Sequence, residues 1–235
     1  MVCYFWIGFV LAALNLPVAF AIVTKSELCV RYGVLLSMFF TCGIAGLTGL
    51  LKAVYRVIVW FALPGGDNHA IDGLLCLFNP IILCDIYTFI AIAVLLLANS
   101  FDRYLVVSIP LKYYVLSKTI VLWELIVFHI LAFSVFISTI IVSAGHKENT
   151  ATAECRQSAY LPENVYTALS CMRACFSTSS ILVMGVVLCK LRCRHKERQA
   201  FTSDNKLAAF TTGQHSFTRL MIGSCIVTLG WSPHK

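Results

Sequence analysis

Long uncharged runs alternate with short charged breaks along this chain. Residues 1–24 carry no charge and end at Lys25. A second run lies between Arg31 and Lys52 and extends past Arg56 to Ala62. The third covers residues 73–100 with one charge, Asp85, inside it. The fourth covers about 119–144, with Glu124 and His129 in its first half, and the fifth about 164–189, with Arg173 inside. A sixth opens near Phe217 and reaches Lys235. A helix needs roughly 20 apolar residues at ~1.5 Å each to cross a ~30 Å hydrocarbon core. The pattern therefore predicts spans at about 2–24, 32–62, 73–104, 119–144, 164–190 and 217–235, in one transmembrane domain over residues 1–235. Helices are the expected spanning element, because in hydrocarbon each backbone N–H and C=O is satisfied within its own segment.

Composition agrees with lipid as the solvent. Hydrophobic residues make up 59% and charged residues only 12%, against about a quarter charged in soluble domains. The first run has a rival reading as a signal peptide, since Ala19-Phe20-Ala21 resembles a small-residue cleavage site. It lacks a positive leading region and is long for that role. A span that starts at the first methionine leaves no outer tail, so the start of the chain is expected to be incomplete.

The net charge of +7 does not point to nucleic acid, because the basic residues gather in a few loops. With the N-terminus outside, the inner loops hold Lys25, Arg31, Arg103, Lys112, Lys118, Lys190, Arg192, Arg194, Lys196, Arg198, Lys206 and Arg219. The outer side holds Lys52, Arg56, Lys147 and Arg156. Twelve against four favours that orientation by the positive-inside rule. The five basic residues between Lys190 and Arg198 read either as this topology signal beside anionic lipid or as a protein contact. Most of the eleven cysteines sit inside apolar runs, where a thiol acts as a small hydrophobe. Cys189 and Cys193 beside His195 are too sparse for a metal site. Two outer connectors stand out: residues 63–72 with the breaker string Pro64, Gly65 and Gly66, and the polar stretch 145–163.

The strongest local signal is the string LLLANSFDRYLVVSIPLKYYVL at 95–116. Asp102-Arg103-Tyr104 closes the third run, followed by Pro110, Leu111 and Tyr113. A triplet of this kind at that end of a third span, with Pro-Leu-x-Tyr after it, resembles the rhodopsin-like family of G-protein-coupled receptors. The plainer reading is an ion pair with snorkelling side chains at the membrane edge. The resemblance implies that Asp102 holds Arg103 at rest, that activation frees Arg103 to meet a heterotrimeric G protein, and that Pro110 and Leu111 belong to the docking loop. Gly230-Trp231-Ser232-Pro233 resembles the family's Cys-Trp-x-Pro, with glycine for cysteine. It implies a helix kink at Pro233 and places Trp231 at the floor of a ligand cavity; an interfacial tryptophan beside a helix stop is the alternative. Asn15-Leu16-Pro17-Val18 is similar to the family's Asn-x-x-Val, although ordinary packing explains a buried asparagine equally well. The family also joins the positions of Cys76 and Cys155 by a disulfide, though Cys76 lies slightly farther from Arg103 than usual.

Several features depart from the family. The stretch 36–43 lacks its buried aspartate, Trp123 comes early in the fourth run, and residues 164–189 contain no proline. Gly213 stands where some members carry an acidic partner for the arginine. These departures suggest a divergent chemosensory branch similar to invertebrate serpentine receptors. Asp85 lies eighteen residues before Arg103, about 27 Å of helix, and two readings stand for it. In amine-binding members an aspartate here pairs with the ligand's ammonium; otherwise it pairs internally with Arg56 or Arg173. Lys52 and Arg56, one turn apart, are expected to snorkel outward.

The expected fold is an all-α membrane protein, a seven-transmembrane-helix receptor bundle truncated within its sixth helix. The expected function is a multi-pass receptor, in the plasma membrane with its N-terminus outside. It senses an extracellular ligand of unknown identity and activates a G protein, with membrane lipid as its other partner. No cofactor, metal or nucleic acid is expected. A non-signalling truncated receptor is the alternative, since one wall of the cavity and the family's Asn-Pro-x-x-Tyr are missing and six spans leave the C-terminus outside. On that ground the 235 residues alone are expected not to signal. A small transporter or channel would predict internal repeats and several intramembrane charges, and no repeat is visible. An enzyme fits least, as no Ser/His/Asp set, metal cluster or phosphate-binding glycine loop emerges.

Overall fold

Each apolar run closes its own backbone hydrogen bonds as a helix. The computed structural model describes residues 2–25, 28–29, 32–62, 70–145, 150–152, 155 and 161–199. In chain order these form α1 (Val2–Val23), α2 (Gly33–Ala62), β1 (Ala70–Asp72), α3 (Gly73–Leu77), α4 (Pro80–Ser108), α5 (Pro110–Gly145), β2 (Thr150–Thr152) and α6 (Glu163–Gln199). Five segments are long and apolar enough to cross a membrane: Phe5–Val23, Gly33–Phe61, Pro80–Ser108, Lys112–Gly145 and Glu163–Cys193. The described chain is a helical bundle of a multi-pass membrane protein. Its outer faces carry Phe20, Phe61, Ile130, Ile141 and Leu182 exposed, as lipid contact requires.

Local chemistry sets the helix ends. The third run is two helices rather than one. Asn79 caps α4, accepting from the Ile81 N–H at 3.0 Å, and Pro80 takes the first helical position, where its missing N–H costs nothing. Cys76 therefore sits in the short α3 ahead of α4, which accounts for its long spacing from Arg103. Helix α5 opens at Pro110, well before the apolar run at 119, and bends at Leu116 (φ −107°, ψ 16°). The basic stretch after Cys189 continues α6 as helix to Gln199. Inside α1, Asn15 donates to the Leu11 carbonyl one turn back at 2.7 Å, so its amide is served by its own helix.

Helix α4 is the centre, packed against α2, α5 and α6, while α1 packs on α2. The α1–α2 seam is close enough to need glycine. A Cβ on Gly46 would lie 2.6 Å from the Ala12 nitrogen, and one on Gly8 would lie 2.7 Å from the Gly46 oxygen. Small residues at such seams let backbones approach and maximise dispersion contact. Two polar ties cross the interior. Ser100 and Ser180 share a hydrogen bond at 2.6 Å between α4 and α6. His129 of α5 meets Ser37 of α2 through Nε2 and Tyr87 of α4 through Nδ1, each at 2.9 Å. One imidazole thus joins three helices.

The long helices run alternately up and down, so the bundle has two ends. At one end a short antiparallel ribbon pairs Ala70 with Thr152, Ile71 with Ala151 and Asp72 with Thr150. This ribbon joins the two outer connectors that stand out in the sequence, 63–72 and 145–163. At the other end lies the Asp-Arg-Tyr triplet.

Candidate functional site

Asp102 and Arg103 occupy the last turns of α4, and both are buried. The Arg103 Nη2 stands 3.5 Å from Asp102 Oδ2. The guanidinium also lies over the Tyr32 ring, 5.8 Å from its centroid. The second carboxylate oxygen of Asp102 accepts from Tyr113 OH at 2.5 Å. Tyr113 reaches it because Pro110 starts α5 directly after Ile109, which folds the first turn of α5 back beside α4. One carboxylate is thus clamped by a neutral hydroxyl and a cation, an arrangement that can hold an arginine or release it.

Tyr104 points elsewhere. It stacks near Phe101, with centroids 6.3 Å apart, and Lys190 of α6 lies 4.9 Å above its ring. Lys190 also donates to Ser108 Oγ at 2.9 Å, so α6 is tied to the end of α4. Glu124 of α5 is buried, within electrostatic reach of Asp102 and Arg103, and neither of its oxygens has a hydrogen-bond partner. Pro110 is exposed. The side chain of Leu111 lies outside the described residues, as do Trp231, Pro233 and the run 217–235. An apolar groove of about 490 Å³ near this end, lined by Val23, Phe40, Val121 and Leu125 among others, lies between α1, α2 and α5.

At the opposite end Cys76 and Cys155 form a disulfide, with Cα atoms 5.6 Å apart. Cys155 adopts φ 48°, a left-handed conformation unusual outside glycine. Both half-cystines are buried in the cluster that includes Leu77, Ile82, Ile86 and Leu161. Asp85 lies in α4 beside Ile86 of this cluster, and its carboxylate meets Lys52 of α2 at 2.5 Å. Lys52 therefore turns inward to α4 instead of snorkelling, because α2 presents it on the face packed against α4. Arg173 of α6 lies over the Phe89 ring at 4.3 Å.

Sequence reasoning singled out the triplet and the two cysteines but missed Tyr113 as the clamp, Lys52 as the partner of Asp85, and the Ser37–His129–Tyr87 tie. Only Tyr113 had a usable local signal, its place three residues after a helix-starting proline. No known family model matches the chain, and no curated protein matches it either.

Proposed function

We propose that this chain is the helical bundle of a rhodopsin-like G-protein-coupled receptor, which senses an extracellular ligand and activates a heterotrimeric G protein. The observation that carries this reading is the Asp102–Arg103 pair, buried and clamped by Tyr113 at one end of the bundle. The pair is a restrained charge, and a receptor needs one that two states hold differently. Its end of the bundle faces the cytoplasm in this reading. The basic residues Lys112, Lys118, Lys190 and Arg192 gather there, in line with the positive-inside rule. The disulfide lies at the other end, which faces the oxidising outside. Ligand binding there shifts the packing of α4 against α2 and α6, and the shift reaches Asp102 along α4.

The test is nucleotide exchange on a panel of Gα subunits, in membranes of cells expressing the full reading frame that contains these residues. Tyr113→Phe removes a donor from Asp102, a hydrogen bond to a charged group worth about 1.5–3 kcal/mol. It is expected to raise basal exchange severalfold on at least one Gα, and Arg103→Ala to abolish it. Exchange that ignores both substitutions on every subunit would sink the receptor reading.

A further inference from the structure

We propose that Arg173 receives the acid group of a small organic anion, a carboxylate that enters from the disulfide end between α4 and α6. The inference rests on the receptor reading for the ligand's role in signalling, and it deepens that reading by naming the ligand's chemical class.

Depth is the first argument. Arg173 lies ten residues into α6 from Glu163, about 15 Å of helix, inside the apolar span Glu163–Cys193. A permanent cation there is expensive and calls for a counter-charge. The chain has eleven acidic residues. Inside the described spans, apart from Glu163 in the first turn of α6, they are Asp85, Asp102 and Glu124. Asp85 is held by Lys52, while Asp102 and Glu124 belong to the opposite end. Among the described residues, no ion pair or hydrogen bond engages the Arg173 guanidinium.

Geometry is the second argument. The guanidinium lies over Phe89, 4.3 Å from the ring centroid, which directs it onto α4 rather than up to the membrane surface. A cation–π contact engages the group above the ring and leaves N–H donors for a planar partner. A carboxylate is such a partner and accepts two of those donors at once. Tyr166, on α6 nearer the disulfide end, is within electrostatic reach of Arg173 and offers a hydroxyl. Phe89, under the guanidinium, and Phe176, three residues on from Arg173, both pack against the core cluster at this end, so the surroundings of the group are apolar.

Charge is the third argument. At this end of the described residues Lys52, Arg56 and Arg173 balance Asp72, Asp85 and Glu163 in number, and Asp85, the acid within α4, is already taken by Lys52. An ammonium ligand would meet an aspartate already compensated by lysine.

The experiment compares acids with their neutral amides on the full chain in zwitterionic nanodiscs. Thermal unfolding is followed with hexanoate and benzoate, and with hexanamide and benzamide at matched concentration. The acids are expected to raise the unfolding midpoint by several degrees and the amides to leave it unchanged, since a ligand that binds only the folded state stabilises it. Arg173→Gln is expected to erase the difference, and Arg173→Lys to keep a smaller one, because ammonium offers a point charge without the fork. Equal effects of acid and amide on the native chain would overturn the proposal, whether or not the variants fold. So would loss of the difference when phosphatidylglycerol is added to the disc, because the anion would then come from lipid headgroups. No G protein is present, so a failure here and a failure of Gα exchange are separate results.

Discussion

A carboxyl group stripped of water without a donor weakens a fold, and Glu124 is such a group: buried, with both oxygens unpartnered. Asp102 already supplies the counter-charge for Arg103, and a second acid beside it adds repulsion. Replacing a buried unsatisfied group by an apolar one of similar shape is neutral or favourable. Glu124→Met is therefore expected to stabilise the purified chain by about 1–3 kcal/mol, read as a higher thermal midpoint. A lower midpoint would mean that Glu124 holds a partner in the working protein. At this scale the sequence was legible where the chemistry is contiguous. Asp102 and Arg103 are neighbours, so their pairing needs only a helix end. Lys52 and Asp85 are 33 positions apart, and only the rotation of α2 against α4 brings them together. No single-sequence pattern encodes that rotation.

Among the elements, the α1–α2 seam is where small residues decide the packing. Gly46 approaches Ala12 N and Gly8 O, which are backbone atoms and cannot swing aside as a flexible side chain would. Gly46→Leu must push the helices apart, at an expected cost of about 1–3 kcal/mol. The matching control is Gly185→Leu in α6, where a Cβ meets nothing within 4 Å. The expected outcome is a lower unfolding midpoint for the first variant and little change for the second. Equal loss in both would show that the seam contributes nothing specific. Hydropathy gave the cores of the long helices readily, because lipid imposes a length. It misjudged the start of α5, since Lys112 and Lys118 break the apolar run while the backbone stays helical from Pro110. The break at Asn79-Pro80 was written in a capping signal but overridden by the apolar residues on both sides. Ribbon strands of three residues carry too little alternation to be recognised.

At the level of the whole molecule, the two ends are held by different means, and they should respond differently to one perturbation. The disulfide end is fastened covalently, Cys76 to Cys155, with the β1–β2 ribbon beside it. The Asp-Arg-Tyr end is fastened by polar contacts from α4 to α5 and α6. In a soluble chain, closing a loop of sequence separation 79 would stabilise by about 2–4 kcal/mol through lost unfolded-state entropy. Here α4 and α5 remain pinned by the bilayer even when their packing is lost, so much of that entropy is already gone. Reduction, or Cys155→Ser, is therefore expected to cost no more than the low end of that range. Its effect should be local. Backbone hydrogen exchange is expected to rise at 70–77 and 150–152 and to stay level around Tyr113, because the Ser37–His129–Tyr87 and Ser100–Ser180 ties stand between the two ends. A rise at Tyr113 equal to that at the ribbon would mean the ends move as one. The shift carried along α4 to Asp102 would then begin at the disulfide itself, and the ties between would transmit it rather than absorb it.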